Sequence, residues 1–203
     1  MKRKNRFTKL IALILPILII GVIIAPPKAS ALNAQNSVSV TIVTQSKSNW
    51  CWAACAEMIG KYYKPSWNFR NQSSIVKYVK GSTINQSGSL YESAKGTKYC
   101  AYNKKSFSYI GVSQYTGIWT WDRIRTEVDN GNPLQACAGY YNNGQRNGGH
   151  IVVIYGWLLN NSNDTYYIRY IDPWDGTQKL CLYSQFVNGS FNQRQYDGTV
   201  FVL

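Results

Sequence analysis

The sequence predicts an α+β fold, with helices in the first part of the chain and an antiparallel sheet in the second. Helix-favouring residues are concentrated before residue 130, whereas short β-rich runs separated by Asn, Gly, Ser and Asp fill the chain after it. Helices followed by strands are typical of α+β proteins. We therefore expect an N-terminal helical lobe packed against a C-terminal antiparallel sheet or half-barrel.

The first predicted helix begins at Cys51. Small and helix-favouring residues follow it to about Tyr63, while Gly60 weakens the helix and Pro65 ends it. Two shorter helices are expected over residues 73–79 and 121–129, the second closed by Asn130-Gly131. Five strands are expected over residues 134–141, 151–158, 166–171, 179–183 and 199–203.

Residues 1–31 have the pattern of a secretory signal peptide. A basic head precedes an apolar stretch over residues 10–24, and Ala29-Ser30-Ala31 matches a small-residue cleavage site. Fifteen residues rise only about 22 Å as a helix, which is less than a typical membrane span. We therefore expect cleavage after Ala31, secretion, and one domain over residues 32–203. The 13 residues 32–44 are too few to fold into an inhibitory propeptide, so we expect a separate protein inhibitor or prompt export.

The charge of the chain limits its partners. Removing the six basic residues of the leader lowers the formal net charge from +13 to +7. The remaining Lys and Arg residues are scattered among Tyr, Asn and Ser, a pattern that argues against nucleic-acid binding. Weak adhesion to an anionic cell surface is the expected consequence, and we expect a monomer.

Five cysteines remain after the leader, an odd number in a chain expected to reach an oxidising compartment. If Cys51 is the free thiol, the other four can form two disulfides, with three possible pairings. The four are Cys55, Cys100, Cys137 and Cys181. The alternative is that several are small buried hydrophobic residues. The absence of a Cys-x-x-Cys pair and the presence of a single histidine disfavour a metal site, so no cofactor is expected.

His150 is the only histidine, so any imidazole chemistry has one candidate. It follows a Gly pair and begins the apolar run over residues 151–156. Gln45 lies six residues before Cys51, which is itself at the predicted start of a helix. A thiol, one base and an amide are the residue types of nucleophilic catalysis.

These motifs resemble the papain-like cysteine peptidases. That family has a glutamine six residues before the nucleophile, a Cys-Trp-Ala helix start, a histidine opening a hydrophobic strand, and an Asn-Ser-Trp segment ending the next strand. The counterparts here are Gln45, Cys51-Trp52-Ala53, His150 and Asp172-Pro173-Trp174, in the same order. The small size is similar to the compact bacterial branch that includes staphopains and secreted plant-pathogen effector proteases.

The resemblance implies a role for each residue. Cys51 is the nucleophile, activated by the helix N-terminus and by an imidazolium at His150. Asp172 orients that ring, and Gln45 donates to the oxyanion. Papain itself has asparagine where this chain has Asp172. Asp164 and Asp175 are rival acceptors: Asp164 is disfavoured because it lies in the turn expected over residues 160–164, and Asp175 because it lies beyond the matching Trp174. Trp174 corresponds to an aromatic shield over the contact between the imidazole and its acceptor.

The implied activity is that of a secreted cysteine endopeptidase acting on protein or peptide substrates. Two alternatives stay open. The same order of Cys, His and Asp serves transglutaminase-like acyltransferases, in which an amine takes the acyl group. A non-catalytic secreted domain that binds glycans or a host protein through its Tyr- and Trp-rich surface is the third interpretation.

Overall fold

The computed structural model describes residues 33–63, 70–103, 108–109, 111–189 and 193–203. The expected signal peptide and Pro65 lie outside these ranges. Within them are the helices α1 (Cys51–Tyr63), α2 (Gln72–Lys80), α3 (Leu90–Cys100), α4 (Trp121–Asp129) and α5 (Tyr183–Val187). The strands are β1 (Ala34–Ser37), β2 (Tyr102–Asn103), β3 (Ser108–Tyr109), β4 (Val112–Thr116), β5 (Leu134–Asn142), β6 (Gln145–Asn160), β7 (Thr165–Asp172), β8 (Thr177–Leu182) and β9 (Arg194–Val202).

The main sheet is antiparallel throughout. Its strands follow the order β4-β9-β5-β6-β7-β8, and β1 pairs with the far end of β6. The strands β2 and β3 form a separate pair. Three helices precede most of the sheet in the chain, so the predicted α+β fold is confirmed. The turn expected between β6 and β7 is present at residues 161–164.

The apolar run at the centre of β6 is buried on both faces of the sheet. Ile151 and Val153 pack with α1 and α2, whereas Val152 and Ile154 pack with α4 and α5. A continuous run of β-branched residues is expected for a strand that is covered on both sides. This burial fixes the register of β6, because a slip of one residue would exchange its two faces.

The helix α1 is the central helix of the first layer, and nine consecutive residues from Trp52 to Gly60 are buried. Gly60 lies inside this helix because α3 crosses it closely: a Cβ atom added at Gly60 would lie 2.4 Å from the Cβ atom of Cys100. The predicted bounds of α1 and α4 are confirmed. Asn130 caps α4, and Gly131 follows with a positive φ of 82°.

Six elements were not predicted: β1, β2, β3, β4, α3 and α5. The helix α3 begins with a capping box, in which Ser89 and Glu92 each accept from the other's backbone N–H, and this signal is present in the sequence. Residues 112–116, for which no element was predicted, form the edge strand β4. The strand predicted over residues 151–158 was too short, because β6 begins before His150 and its Gly and Asn residues there continue the ladder with β5.

The expected disulfides are not present. All five cysteines are free thiols. Four of them have separate partners. Cys55 donates to Ile151 O at 3.3 Å, and Cys100 donates to Arg70 O at 3.9 Å. Cys137 accepts from Arg146 at 3.2 Å, and Cys181 packs against the buried cluster that includes α5. The alternative interpretation, small buried hydrophobic residues, applies to Cys55, Cys100 and Cys137. Across the described ranges, the helices are too short or too polar to cross a membrane.

Candidate active site

Cys51 is the first residue of α1 and is half-buried. The tryptophans on either side of it fix its position. Trp50 donates from its indole N–H to Ile84 O at 2.8 Å, and Trp52 donates to Gln86 O at 3.2 Å. The first turn of α1 contains no acidic residue. The positive end of the helix dipole is therefore available to stabilise a thiolate at Cys51.

His150 reaches this thiol from the sheet. It lies on β6 opposite Ala138 of β5 and is only 5% exposed. Its Nε2 atom lies 2.6 Å from Oδ1 of Asp172, and the ring also forms a side-chain hydrogen bond with Cys51. Because Nε2 is occupied by the carboxylate, Nδ1 is the ring nitrogen that faces the sulfur. The imidazole thus lies between the thiol and the carboxylate.

Asp172 is the last residue of β7 and is 3% exposed. Three donors hold it. Oδ1 accepts from His150 and from the Trp174 N–H at 3.0 Å, and Oδ2 accepts from Lys179 Nζ at 3.1 Å. Burial raises the pKa of this carboxyl, but the hydrogen bond and charge of His150 outweigh burial, helped by Trp174 and Lys179, and hold the pKa well below its usual range. The carboxylate is therefore ionised at neutral pH.

The pKa values of the thiol and the imidazole move toward each other. Burial raises the pKa of Cys51, but the hydrogen bond and charge of His150, together with the N–H groups of Ile151 and Trp52, leave it below the ordinary value. Burial lowers the pKa of His150, yet its bonds to Asp172 and Cys51 raise it above the ordinary value. Both shifts favour a thiolate beside an imidazolium. We call Cys51, His150, Asp172 and Lys179 the nucleophile cluster.

Gln45 lies in the segment before α1, tied to the end of β7. Its backbone N–H donates to Pro173 O at 2.7 Å. Its side-chain Nε2 donates to Lys47 O at 3.0 Å and to Ser48 O at 2.8 Å. Both amide hydrogens are therefore engaged within the turn over residues 46–48. Oε1 is buried and has no hydrogen-bond partner among the described residues.

Neither rival carboxylate contacts His150. Asp175 accepts from Thr177 and pairs with Lys179 at 2.7 Å. Asp164 lies in the exposed turn between β6 and β7. The Trp174 side chain is 62% exposed and lines a shallow cavity of about 290 Å³ with residues 45–48. Its backbone N–H, rather than its indole ring, makes the hydrogen bond to Asp172.

A second group of polar residues borders the site at a cavity of about 250 Å³. Arg146 donates from Nε to Asp197 Oδ2 at 2.7 Å and from its other end to the Cys137 sulfur at 3.2 Å, and the Tyr141 hydroxyl donates to the same carboxylate at 2.8 Å. We call these four residues the cavity cluster. Cys137 precedes Ala138, the strand partner of His150, which brings the cavity next to the candidate site.

Burial raises the pKa of Cys137 to about 12, and the charge of Asp197 adds to this effect. Cys55, one turn along α1 from Cys51, also has a pKa well above its ordinary value, first because of burial and then because of the charge of Cys51. Cys51 is thus the thiol whose pKa is lowered, and the residue is partly exposed.

Sequence reasoning missed Lys179 and the cavity cluster. Lys179 had a signal: if Asp172 and Thr177 close a hairpin, a residue two positions beyond Thr177 returns to the same face of the sheet. The cavity cluster had no such signal in the sequence, because Asp197 and Arg146 are distant in sequence and meet only through the pairing of β5 with β6 and β9. The described residues contain no group of three His, Cys, Asp or Glu side chains that could hold a metal ion.

Residues 37–198 match the model of the Peptidase_C39 like family, and this range is most of the chain. The chain belongs to this family. The search of curated proteins found no match to this chain. Among solved structures, UfSP from C. elegans is similar, with a TM-score of 0.50 at 9% identity over 83% of this chain.

This chain spans about a third of the UfSP chain, 34% of its length, so the likeness concerns one part of that protein. At this identity the likeness shows the fold alone. The α+β fold is papain-like.

Proposed function

We propose that the protein is a secreted cysteine endopeptidase of the compact bacterial type, in which Cys51, His150 and Asp172 form the catalytic triad. The observation that carries this proposal is the continuous contact from the Cys51 thiol through the His150 ring to the Asp172 carboxylate. Two of these three side chains are almost completely buried. The opposite pKa shifts of the thiol and the ring support an ion pair ready for attack.

The reaction begins with the thiolate of Cys51 attacking the carbonyl carbon of the scissile peptide bond, so that a C–S bond forms and the carbonyl oxygen becomes an oxyanion. The imidazolium of His150 then gives its proton to the leaving nitrogen as the C–N bond breaks. The neutral ring next takes a proton from water, which attacks the acyl-enzyme and releases the acid and the thiol. Asp172 holds the ring in one orientation throughout.

The Cys51 backbone N–H, at the helix N-terminus, is one donor to the oxyanion. Gln45 is the proposed second donor, and it requires a small rearrangement because both of its amide hydrogens are engaged. The longer of the two bonds, to Lys47 O at 3.0 Å, is the one we expect to break when substrate binds. The hydrogen bond from Gln45 N–H to Pro173 O keeps the backbone of the turn in place during this change.

An irreversible peptide epoxide directed at thiols tests the proposal. We expect one adduct, mapped by mass spectrometry to Cys51, with the other four thiols unmodified. His150→Ala should abolish the labelling at neutral pH. Labelling of a different cysteine, or undiminished labelling of the His150→Ala protein, would contradict the triad. Peptide incubated with and without a primary amine separates hydrolysis from the acyltransferase alternative.

Secretion is a separate part of the proposal, supported by the pattern of residues 1–31. The test is N-terminal sequencing of the exported protein, where we expect Leu32 as the first residue. An exported protein that keeps the leader would contradict it. The separate inhibitor, the weak adhesion to anionic surfaces and the monomeric state stay predictions from the sequence.

A further inference from the structure

We propose that Lys179 is a positioning residue of the peptidase reaction: its ammonium group pairs with Asp172, offsets the charge of that carboxylate, and thereby sets the pH range in which the Cys51–His150 ion pair exists. This inference rests on the triad proposed above. It goes beyond that triad because it gives a role to a fourth side chain, from a strand that neither the sequence motifs nor the family match singles out.

The geometry follows from the hairpin of β7 and β8. Asp172 pairs with Thr177, the first residue of β8, and Lys179 lies two residues further along the same strand. Lys179 Nζ lies 3.1 Å from Asp172 Oδ2 and 2.7 Å from Asp175 Oδ2. The side chain is 31% exposed, whereas that of Asp172 is 5% exposed. A lysine at the protein surface therefore reaches a carboxylate that water does not reach.

The charges of the cluster show what the lysine contributes. A thiolate, an imidazolium and a carboxylate sum to one negative charge, and Lys179 brings the sum to zero. The two oxygens of Asp172 have different partners: Oδ1 contacts His150 and Oδ2 accepts from Lys179. An ammonium on Oδ2 weakens the negative potential that the carboxylate exerts on the ring and the sulfur. It also satisfies an oxygen that would otherwise be buried without a partner.

The other titratable groups near the site cannot replace this cation. The described groups that interact electrostatically with Cys51, His150, Asp172 or Lys179 are Cys55 from α1, Cys137 from β5, Tyr170 from β7 and Asp175 from the turn before β8. Each of these is neutral or negative at neutral pH. Arg146, the cation of the cavity cluster, is paired with Asp197.

Replacing Lys179 with a neutral residue should shift the pH profile of kcat/KM in a definite direction. In Lys179→Met, the uncompensated carboxylate stabilises the imidazolium, so the pKa of His150 rises and the alkaline limb of kcat/KM moves to higher pH. The same potential disfavours the thiolate, so the pKa of Cys51 rises and the acid limb moves in the same direction. Because Lys179 is partly exposed and acts through Asp172, we expect each limb to shift by about half a unit to one unit.

The experiment compares the pH profile of kcat/KM on a fluorogenic peptide with the pH profile of Cys51 alkylation by iodoacetamide, mapped by mass spectrometry. Lys179→Met and Lys179→Gln should shift both profiles upward, and Lys179→Arg, which keeps the cation, should restore the wild-type profile. One variant serves as the control. Lys77→Met removes one exposed cation from α2 and should not move the limbs.

A purely structural lysine would lower the unfolding temperature of the neutral variants without shifting the limbs, and that result would overturn the inference. A shift to lower pH, or equal shifts in Lys77→Met and Lys179→Met, would overturn it too. The alkylation profile needs no peptide substrate and both neutral variants report on it, so one poorly folding variant does not remove the test. Failure of the triad itself would appear differently, as an active Cys51→Ser protein with any residue at position 179.

Discussion

The nucleophile cluster and the cavity cluster contain the same kinds of groups but differ in the pKa of their thiols. Each has a cysteine, a cation-forming side chain and a carboxylate in contact. The pKa of Cys51 is lowered, whereas that of Cys137 is raised to about 12. A thiol, a cation and a carboxylate are therefore not sufficient to make a nucleophile, and the arrangement of the three groups decides the outcome.

Two features of the arrangement differ. In the nucleophile cluster, His150 separates the thiol from the carboxylate, and an imidazole can both accept and donate a proton near neutral pH. In the cavity cluster, burial raises the pKa of Cys137, the charge of Asp197 adds to this effect, and Arg146 cannot be deprotonated. Cys51 also begins a helix, whereas Cys137 lies within a strand and gains nothing from a helix dipole.

The largest expected effect comes from exchanging each thiol for a hydroxyl. Cys51→Ser should lower kcat/KM by about 10⁴-fold or more, because a serine in this site has no activated form comparable to the thiolate. Cys137→Ser should leave kcat/KM within about tenfold of the wild type, since Cys137 contributes to the cavity wall and not to bond breaking. Initial rates on a fluorogenic peptide measure both. Comparable losses in the two variants would mean that the clusters had been assigned the wrong roles.

The second prediction removes the cation from each cluster. His150→Gln should raise the pKa of Cys51 toward the ordinary value for a thiol, so alkylation at pH 6.5 should slow by about 10-fold to 100-fold. Above the ordinary thiol pKa, the wild type and the variant should react at similar rates. Arg146→Gln is the matched control in the cavity cluster and should leave the Cys51 profile unchanged. An unshifted profile in His150→Gln would show that the helix terminus alone activates the thiol.

The comparison also explains what could be predicted from the sequence. The four ordered motifs include Cys51, His150 and Asp172, the residues of the nucleophile cluster other than Lys179. These motifs can be read from the sequence because the helix start and the two adjacent strands that contribute these residues occur in a fixed order along the chain. The α+β fold followed from the same periodicities. The cavity cluster and Lys179 could not be predicted in this way, since they depend on which strands pair and in which register.

One local prediction failed, and one stays untested. The disulfides were inferred from the cysteine count and an oxidising compartment, but the number of cysteines carries no information on the distance between them. Cys51 and Cys55 share α1, and the other three cysteines lie on α3, β5 and β8. The role of Gln45 as oxyanion donor stays a prediction, and its amide hydrogens donate to Lys47 O and Ser48 O in this structure. The six-residue spacing from Cys51 predicts where Gln45 lies along the chain, but it does not predict the rotamer of its side chain.

The third prediction concerns the carboxylate of the cavity cluster. Asp197→Asn removes a charge that raises the pKa of Cys137, so that pKa should fall by about one unit from its value near 12. The rate of Cys137 modification by a small methanethiosulfonate, followed between pH 8 and pH 10.5 by mass spectrometry, should increase. Asp122→Asn, an exposed charge-matched change on α4, should have no effect. An unchanged rate would mean that burial alone determines the unreactive state of Cys137.

The smallest expected effect is that of Tyr141→Phe. The change removes one hydrogen bond, from the Tyr141 hydroxyl to Asp197 Oδ2 at 2.8 Å, while the ion pair between Asp197 and Arg146 at 2.7 Å remains. Tyr141 is 44% exposed, so water can replace the lost donor. We expect the free energy of unfolding, measured in urea, to fall by about 0.5 kcal/mol, with kcat/KM almost unchanged. A large loss of kcat/KM without a loss of stability would instead show that the hydroxyl contacts substrate, and the cavity cluster would then be part of the substrate-binding surface rather than a support for its wall.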